Sequence, residues 1–334
     1  VKAQLRAAMD ECTRYGLTNI GDAWVDGTMV EAYQSLVDAG EMKIRIYGML
    51  ADDPELLARF HESGPVIDYG GMLTLRAEKL FVDGALGSRG ALLFDPYSDD
   101  AHTSGVTIMD EDEIYMRTVA ALEADFQTCA HAIGDKANHI ALNAYYRAME
   151  RALKPYPRLR IEHAQILRLS DIPRFAKLGV IASMQPTHAT SDMDWVEDRI
   201  GVERVKGAYV WRTLIETGAT VAYGSDFPVE AVNPFLGIYA AITRCDCEGD
   251  PEGGWQPQER LSAYEAVKCF TLDAAYAQFQ EDKLGSIEPG KIADLTIIDR
   301  NILKIPPRDI QNTKVLMTVV GGKPVYKDTE IELQ

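Results

Sequence analysis

Seven short apolar, β-branched runs separated by stretches of helical periodicity set the firmest limit on how this chain folds. The runs are "LTNIGDAWV" (17–25), "KIRIYGML" (43–50), "LRAEKLFVDG" (75–84), "FQTCAHAIG" (126–134), "LRIEHAQIL" (159–167), "GVIASMQP" (179–186) and "ATVAYGSDFP" (219–228). Between them lie helical patterns such as "MVEAYQSLVDAG", "DEIYMRTVAALEA", "KANHIALNAYYRAMERAL" and "LSDIPRFAKLG". Strands that alternate with helices predict parallel βα units, arranged as an open doubly wound sheet or as a (β/α)8 barrel. Two observations favour the barrel. Polar residues (Asp83, His131, Asp135, His163, His188 and Asp226) gather where the strands end, and barrel sites are assembled from many strand ends, whereas an open sheet has one switch point. No Gly-rich phosphate fingerprint follows the first strand. Seven strands leave one of a barrel's eight unaccounted for.

After "SAYEAVKCFTLDAAYAQF" the pattern changes to short strands with Gly/Pro turns, "LGSIEPGKIADLTIID" and "VLMTVVGGKPVYK". We therefore divide the chain into a (β/α) barrel over 1–280 and, over 281–334, part of a small β-sandwich subdomain that must pair with another segment. The polar, turn-rich stretch 88–108 reads as a lid or site loop. The first residues, "VKAQLRAAMDECTRYG", read as an amphipathic helix rather than a signal peptide. The chain opens on Val, so either a leader was removed or it is a piece of a longer protein.

Composition narrows the function. With 34 basic and 51 acidic residues the formal charge is -17, which disfavours nucleic-acid and anionic-membrane partners and favours small molecules. No apolar run reaches the roughly 18 residues of a spanning helix. Five cysteines without framework spacing point to a reduced, cytoplasmic protein. The Cys245-x-Cys247 pair is weak evidence for a soft-metal site. Homo-oligomer formation is left open.

Lys79, His131, His163 and Asp226 stand at or near the ends of four different strands, among residues that would otherwise be core. Each alone has a plain reading: a histidine ending a strand is usually just hydrogen-bonded, and Asp226 could cap a helix. Together they form a ligand set for a borderline metal such as zinc, whose catalytic sites keep a position open for water. Such an ion would lower the pKa of bound water towards neutrality, and Asp226 could take the proton and pass it to the leaving group. His188 could touch substrate or a developing negative charge, or cap a helix start. Arg89 could pair with a substrate carboxylate or with Asp83. Trp195 and Met193 offer an apolar wall or plain packing. Asp135 reads as a helix cap, His139 as structural, and His61 and His102 as exposed.

"KLFVDGALGSRGA", "CAHAIGDKAN", "RIEHAQIL", "ASMQPTHATSDMDW", "YGSDFPVE" and "LGSIEPGKIADLTIID" together resemble the amidohydrolase superfamily, in particular its YtcJ-like (amidohydrolase-3) branch. The resemblance runs in order over nearly the whole chain. It implies a (β/α)8 barrel with one or two divalent ions, usually zinc, hydrolysing C–N or related bonds. His131 and His163 would be the metal ligands of the fifth and sixth strands, and Asp226 the aspartate of the eighth. Lys79 matches the fourth-strand lysine that reacts with carbon dioxide to form a carbamate bridging two ions; burial, which favours neutral amine, suits that chemistry. The plain alternative has Lys79 snorkelling or pairing with Glu78 or Asp83. The family's first-strand His-x-His is absent, since the six histidines are His61, His102, His131, His139, His163 and His188. The first strand, its metal pair and the first part of the sandwich are therefore expected to be missing from this chain. The leading function is a metal-dependent hydrolase of an amide, N-formyl or other C–N bond. A mononuclear deaminase or cyclic-amide hydrolase, and a non-catalytic binding or regulatory barrel, remain alternatives.

Overall fold

The computed structural model describes residues 1–328. Its main sheet contains β1 (Asn19–Val25), β2 (Arg45–Leu50), β3 (Val66–Tyr69), β4 (Leu73–Phe81), β5 (Gln127–Ala132), β6 (Arg160–His163), β7 (Ile181–Met184) and β8 (Val221–Tyr223). The order is β1-β2-β4-β5-β6-β7-β8, every neighbouring pair parallel, with β3 antiparallel to β4. All seven expected strands are present. Among the described residues no ladder joins β1 to β8, so the sheet is a curled, open arc of barrel strands. Sequence reading missed β3. It forms a hairpin with β4 through Gly70 and Gly71, whose φ of 58° and 74° suit glycine.

Helices cover the outer face of the arc, and their starts are written in the sequence. Asp26, Asp53 and Asp110 each accept backbone N–H groups at the starts of Gly27–Asp38, Pro54–Ser63 and Glu111–Glu123, the usual role of a short acceptor at a helix start. The helix Asp135–Ala152 buries Ala137, Ala141, Ala144 and Ala148, small residues that let it approach the sheet closely. From this helix Asn138 Nδ2 donates to the carbonyls of Ala132, Ile133, Gly134 and Ile166 at 2.9–3.3 Å. It thereby fastens the ends of β5 and β6, where two candidate ligands sit.

The stretch 88–108 is packed in part, with Phe94, Val106 and Ile108 left exposed. Ala91, Leu92, Leu93 and Tyr97 are buried in the main core. Arg204 ties it down by donating to the carbonyls of Asp95 and Pro96 at 2.9 and 2.8 Å.

A second, antiparallel sheet has the order β11-β10-β9, with β9 Leu295–Ile298, β10 Val315–Val320 and β11 Lys323–Lys327. Among the described residues this sheet bonds the end of the first helix, Lys2–Arg14, and the turn after it. Thr318 Oγ1 donates to the Thr13 carbonyl and Thr296 Oγ1 to the Gly16 carbonyl, both at 2.6 Å. The buried Arg45–Asp294 ion pair, at 2.7 Å, joins this part of the chain to β2. Residues 329–334 of the expected 281–334 segment lie outside the described residues.

Candidate metal centre

Strand alternation sends Glu78 and Lys79 to opposite faces of β4. Glu78 faces outward and bonds His61 Nε2 at 2.5 Å. His61 is therefore half-buried and paired, not exposed as expected. Lys79 is 4% exposed, and its neighbours across the ladder continue the inner surface: Lys79 pairs in register with Cys129, and Phe81 with His131. Neither Glu78 nor Asp83 takes the lysine as an ion-pair partner, and among the described residues Lys79 forms no ion pair. Its ammonium lies 5.2 Å from the centre of the Phe81 ring. Burial pushes its pKa down, partly offset by the Glu162 carboxylate.

His131 leaves β5 beside Phe81, with ring centres 5.4 Å apart, and meets His163 edge-on at 4.5 Å. Burial, reinforced by the Lys79 charge, pushes its pKa down to about 4. Its Nε2 is buried without a hydrogen-bond partner, 3.5 Å from Asp83 Oδ1. Asp83 is engaged elsewhere. It accepts from the backbone N–H groups of Leu92 and Gly134 at 2.8 Å and of Ile133 at 3.0 Å. Burial raises its carboxyl to about 7 against those three donors.

At the end of β6, regular alternation would turn His163 away from the face that Glu162 occupies. The backbone breaks that alternation with φ of 78° at His163 and 45° at Ala164, a left-handed conformation that costs about 1–3 kcal/mol at a non-glycine residue. The result is an imidazole facing His131 and stacked on His188 at 6.0 Å. Asp226, beyond β8, likewise has φ of 55°. Burial raises its carboxyl pKa, while the Lys79 charge opposes the rise. His188 lies in the helix Pro186–Asp192 that follows β7, and burial holds its pKa down at about 4.

His163, His188 and Asp226 each offer one ligand atom within 4.8 Å of the other two. Two imidazoles and a carboxylate suit a borderline divalent ion. The buried Nε2 of His131, which has no hydrogen-bond partner, is a further candidate ligand atom beside this cluster. The residues present therefore fit a metal. The structure brings His188 into the cluster directly, and sets His131 against it through the ring of His163.

The remaining expectations fare differently. Arg89 grips Asp99 with two bonds of 3.0 Å, so Asp83 is not its partner. Trp195 packs beside Gly87, where a Cβ would lie 3.4 Å from its ring, and under the Arg199 guanidinium at 5.7 Å. Asp135 accepts from Phe94 N at 3.0 Å, tying down the 88–108 stretch, while Gly134 occupies the helix cap. His139 is structural as expected, bonded to Asp171 at 2.9 Å. Cys245 is buried and Cys247 exposed, and both are free.

Five residues around the centre were not among the expected ones. Arg160 and Glu162 form a buried ion pair at 2.8 Å on the inner face of β6, with Ser183 accepting from the guanidinium at 3.0 Å. Gln185 accepts from His163 Nδ1 at 2.9 Å, and Gln165 donates to His188 Nδ1 at 3.2 Å. The visible signal was "RIEHAQ", polar residues crowded into a strand buried on both faces.

A family model described as "Amidohydrolase family" matches residues 1–326. The chain belongs to the amidohydrolase family. Among relatives, YtcJ of Bacillus subtilis is 34% identical over 98% of this chain and 61% of its own length. The N-substituted formamide deformylase of Arthrobacter pascens is 28% identical over 97% of this chain and 60% of its own. A metal-dependent hydrolase of Pyrococcus furiosus, known from its crystal structure, superposes with a TM-score of 0.80 at 34% identity, covering 91% of this chain and 60% of that one. The chain thus spans about three fifths of the length of these amidohydrolases. Metal dependence of the family implies a divalent ion. Among the described residues no helix is long and apolar enough to cross a membrane.

Proposed function

We propose that this chain carries the metal-binding core of a hydrolase that cleaves an amide, N-formyl or other C–N bond of a small molecule. The observation that carries this reading is the convergence of His163, His188 and Asp226 within 4.8 Å, beside His131 and the buried Lys79. The donors favour zinc. When bound, the ion supplies Lewis acidity that polarises a carbonyl and lowers the pKa of water. His163 and Asp226 would hold it, with His131 and Lys79 as further ligands.

Asp226 moves the proton. Its partly exposed carboxylate accepts the proton released as water adds to the carbonyl and returns it to the leaving nitrogen. Burial, which raises its pKa, brings it nearer to that of the groups it serves. Lys79 is the modification site: neutral amine adds to carbon dioxide, an N–C bond forms, a proton leaves, and the carbamate anion becomes a ligand. The name of the Arthrobacter pascens relative supports an N-formyl substrate. Arg89 is committed to Asp99 and takes no part in the proposed reaction. The free cysteines suit a cytoplasmic setting.

The test is hydrolysis of a panel of N-formyl amines, N-acyl amides, cyclic amides and amino-heterocycles, before and after removal of metal by a chelator. Zinc-restored formate or carboxylate release is expected. Ammonia release from amino-heterocycles with an unmodified Lys79 would instead support the mononuclear deaminase. No turnover by chain that does bind metal would overturn the hydrolase reading.

A further inference from the structure

His163 and His188 stack in nearly parallel planes, 19° apart, and each has a glutamine at its Nδ1. The two glutamines present opposite ends. Gln185 turns its Oε1 to His163 Nδ1 at 2.9 Å, and its own Nε2 donates to the Ser183 carbonyl at 3.3 Å, which fixes the amide's orientation. His163 therefore carries its proton on Nδ1 and keeps a lone pair on Nε2. Gln165 turns its Nε2 to His188 Nδ1 at 3.2 Å. An amide N–H can only donate, so His188 Nδ1 is the acceptor. A neutral imidazole has one donor and one acceptor nitrogen, so His188 carries its proton on Nε2.

That Nε2 is buried, has no hydrogen-bond partner, and lies 4.0 Å from Asp226 Oδ2, beyond hydrogen-bond reach. A buried N–H without an acceptor is costly and persists where a ligand supplies one. We infer that Gln165 is a positioning residue that fixes His188 as an N–H donor towards a substrate oxygen, and so keeps His188 from ligating the ion held by His163 and Asp226. The acceptor is a carbonyl or carboxylate oxygen, seated where a developing negative charge would be stabilised. The inference rests on the proposed metal site, but the tautomers exist without the ion.

The test is long-range 1H–15N correlation of the histidine side chains in metal-free protein, with zinc titrations alongside. Expected is a protonated Nε2 at His188 and a protonated Nδ1 at His163. In Gln165→Glu the new carboxylate accepts from His188 Nδ1, and the His188 pattern reverses while that of His163 stays. A protonated Nδ1 at His188 in the unsubstituted chain overturns the inference, and so does an unchanged His188 pattern in a folded Gln165→Glu. In zinc titrations His188→Asn keeps its affinity, whereas His163→Ala loses about 10-fold or more. Equal losses in both variants also overturn it. Absence of zinc binding by the unsubstituted chain overturns the metal reading alone, and the tautomer spectra still decide the inference.

Discussion

His188 Nε2 and Asp226 Oδ2 stand 4.0 Å apart without a hydrogen bond between them. The carboxylate is thus not consumed by the imidazole and stays available for proton transfer. Asp226→Asn removes the proton acceptor while preserving shape. On whichever amide or N-formyl compound proves to be a substrate, kcat is expected to fall at least ~100-fold with a smaller change in KM. Steady-state kinetics of product release check this; an unchanged kcat would remove Asp226 from the proton path.

Lys79 is buried without an ion-pair partner among the described residues, so its amine should be modified when metal is present. Incubation with 13C-bicarbonate and zinc should give a carbamate resonance in 13C spectra. The resonance should vanish in Lys79→Ala. An unmodified amine in zinc-loaded protein would favour the mononuclear alternative.

Burial holds the His188 pKa at about 4, against about 6.5 for a free histidine. Between those values the unfolded chain binds a proton that the folded chain does not. The contribution of neutral His188 is therefore full above about pH 6.5 and is lost as the pH falls towards 4. In metal-free protein, His188→Asn should gain on the unsubstituted chain by up to ~1.4 kcal/mol per pH unit across that window. Urea denaturation at several pH values measures the difference. A pH-independent difference would contradict a neutral, buried His188.

Asp83 holds three backbone N–H groups, those of Leu92, Ile133 and Gly134. It thereby joins the end of β4 to the end of β5 and to the stretch 88–108. Asp83→Ala strands these donors in the interior and should cost on the order of 3 kcal/mol or more. Asp83→Asn, which can still accept, should recover part of it. The midpoint of urea unfolding reports both.

The parallel strands were legible because fully buried strands are continuous apolar runs, and "KLFVD" or "RIEH" differ from that rule only at charged or imidazole side chains. Lys79, His131, His163 and Asp226 stood out as candidates for the same reason: a charge or imidazole inside such a run is costly unless it is paired or put to use. β3 escaped notice because "VIDY" is short and mostly exposed. The pairing of Arg89 with Asp99 and of His61 with Glu78 depends on tertiary contacts that spacing does not encode. The same holds for the backbone turn that swings His163 inward, since nothing in "IEHAQ" announces a left-handed φ. Gln165 and Gln185 looked like ordinary polar residues until their amides were seen to face the two histidines in opposite senses.

The central claim is a divalent-metal centre built on strand-end residues of this chain, and quantitative metal binding tests it most directly. Metal-stripped protein titrated with zinc should bind at least one ion per chain, with binding weakened about 10-fold or more in both His163→Ala and Asp226→Ala. No zinc bound by folded protein, or binding untouched by either substitution, would contradict the account.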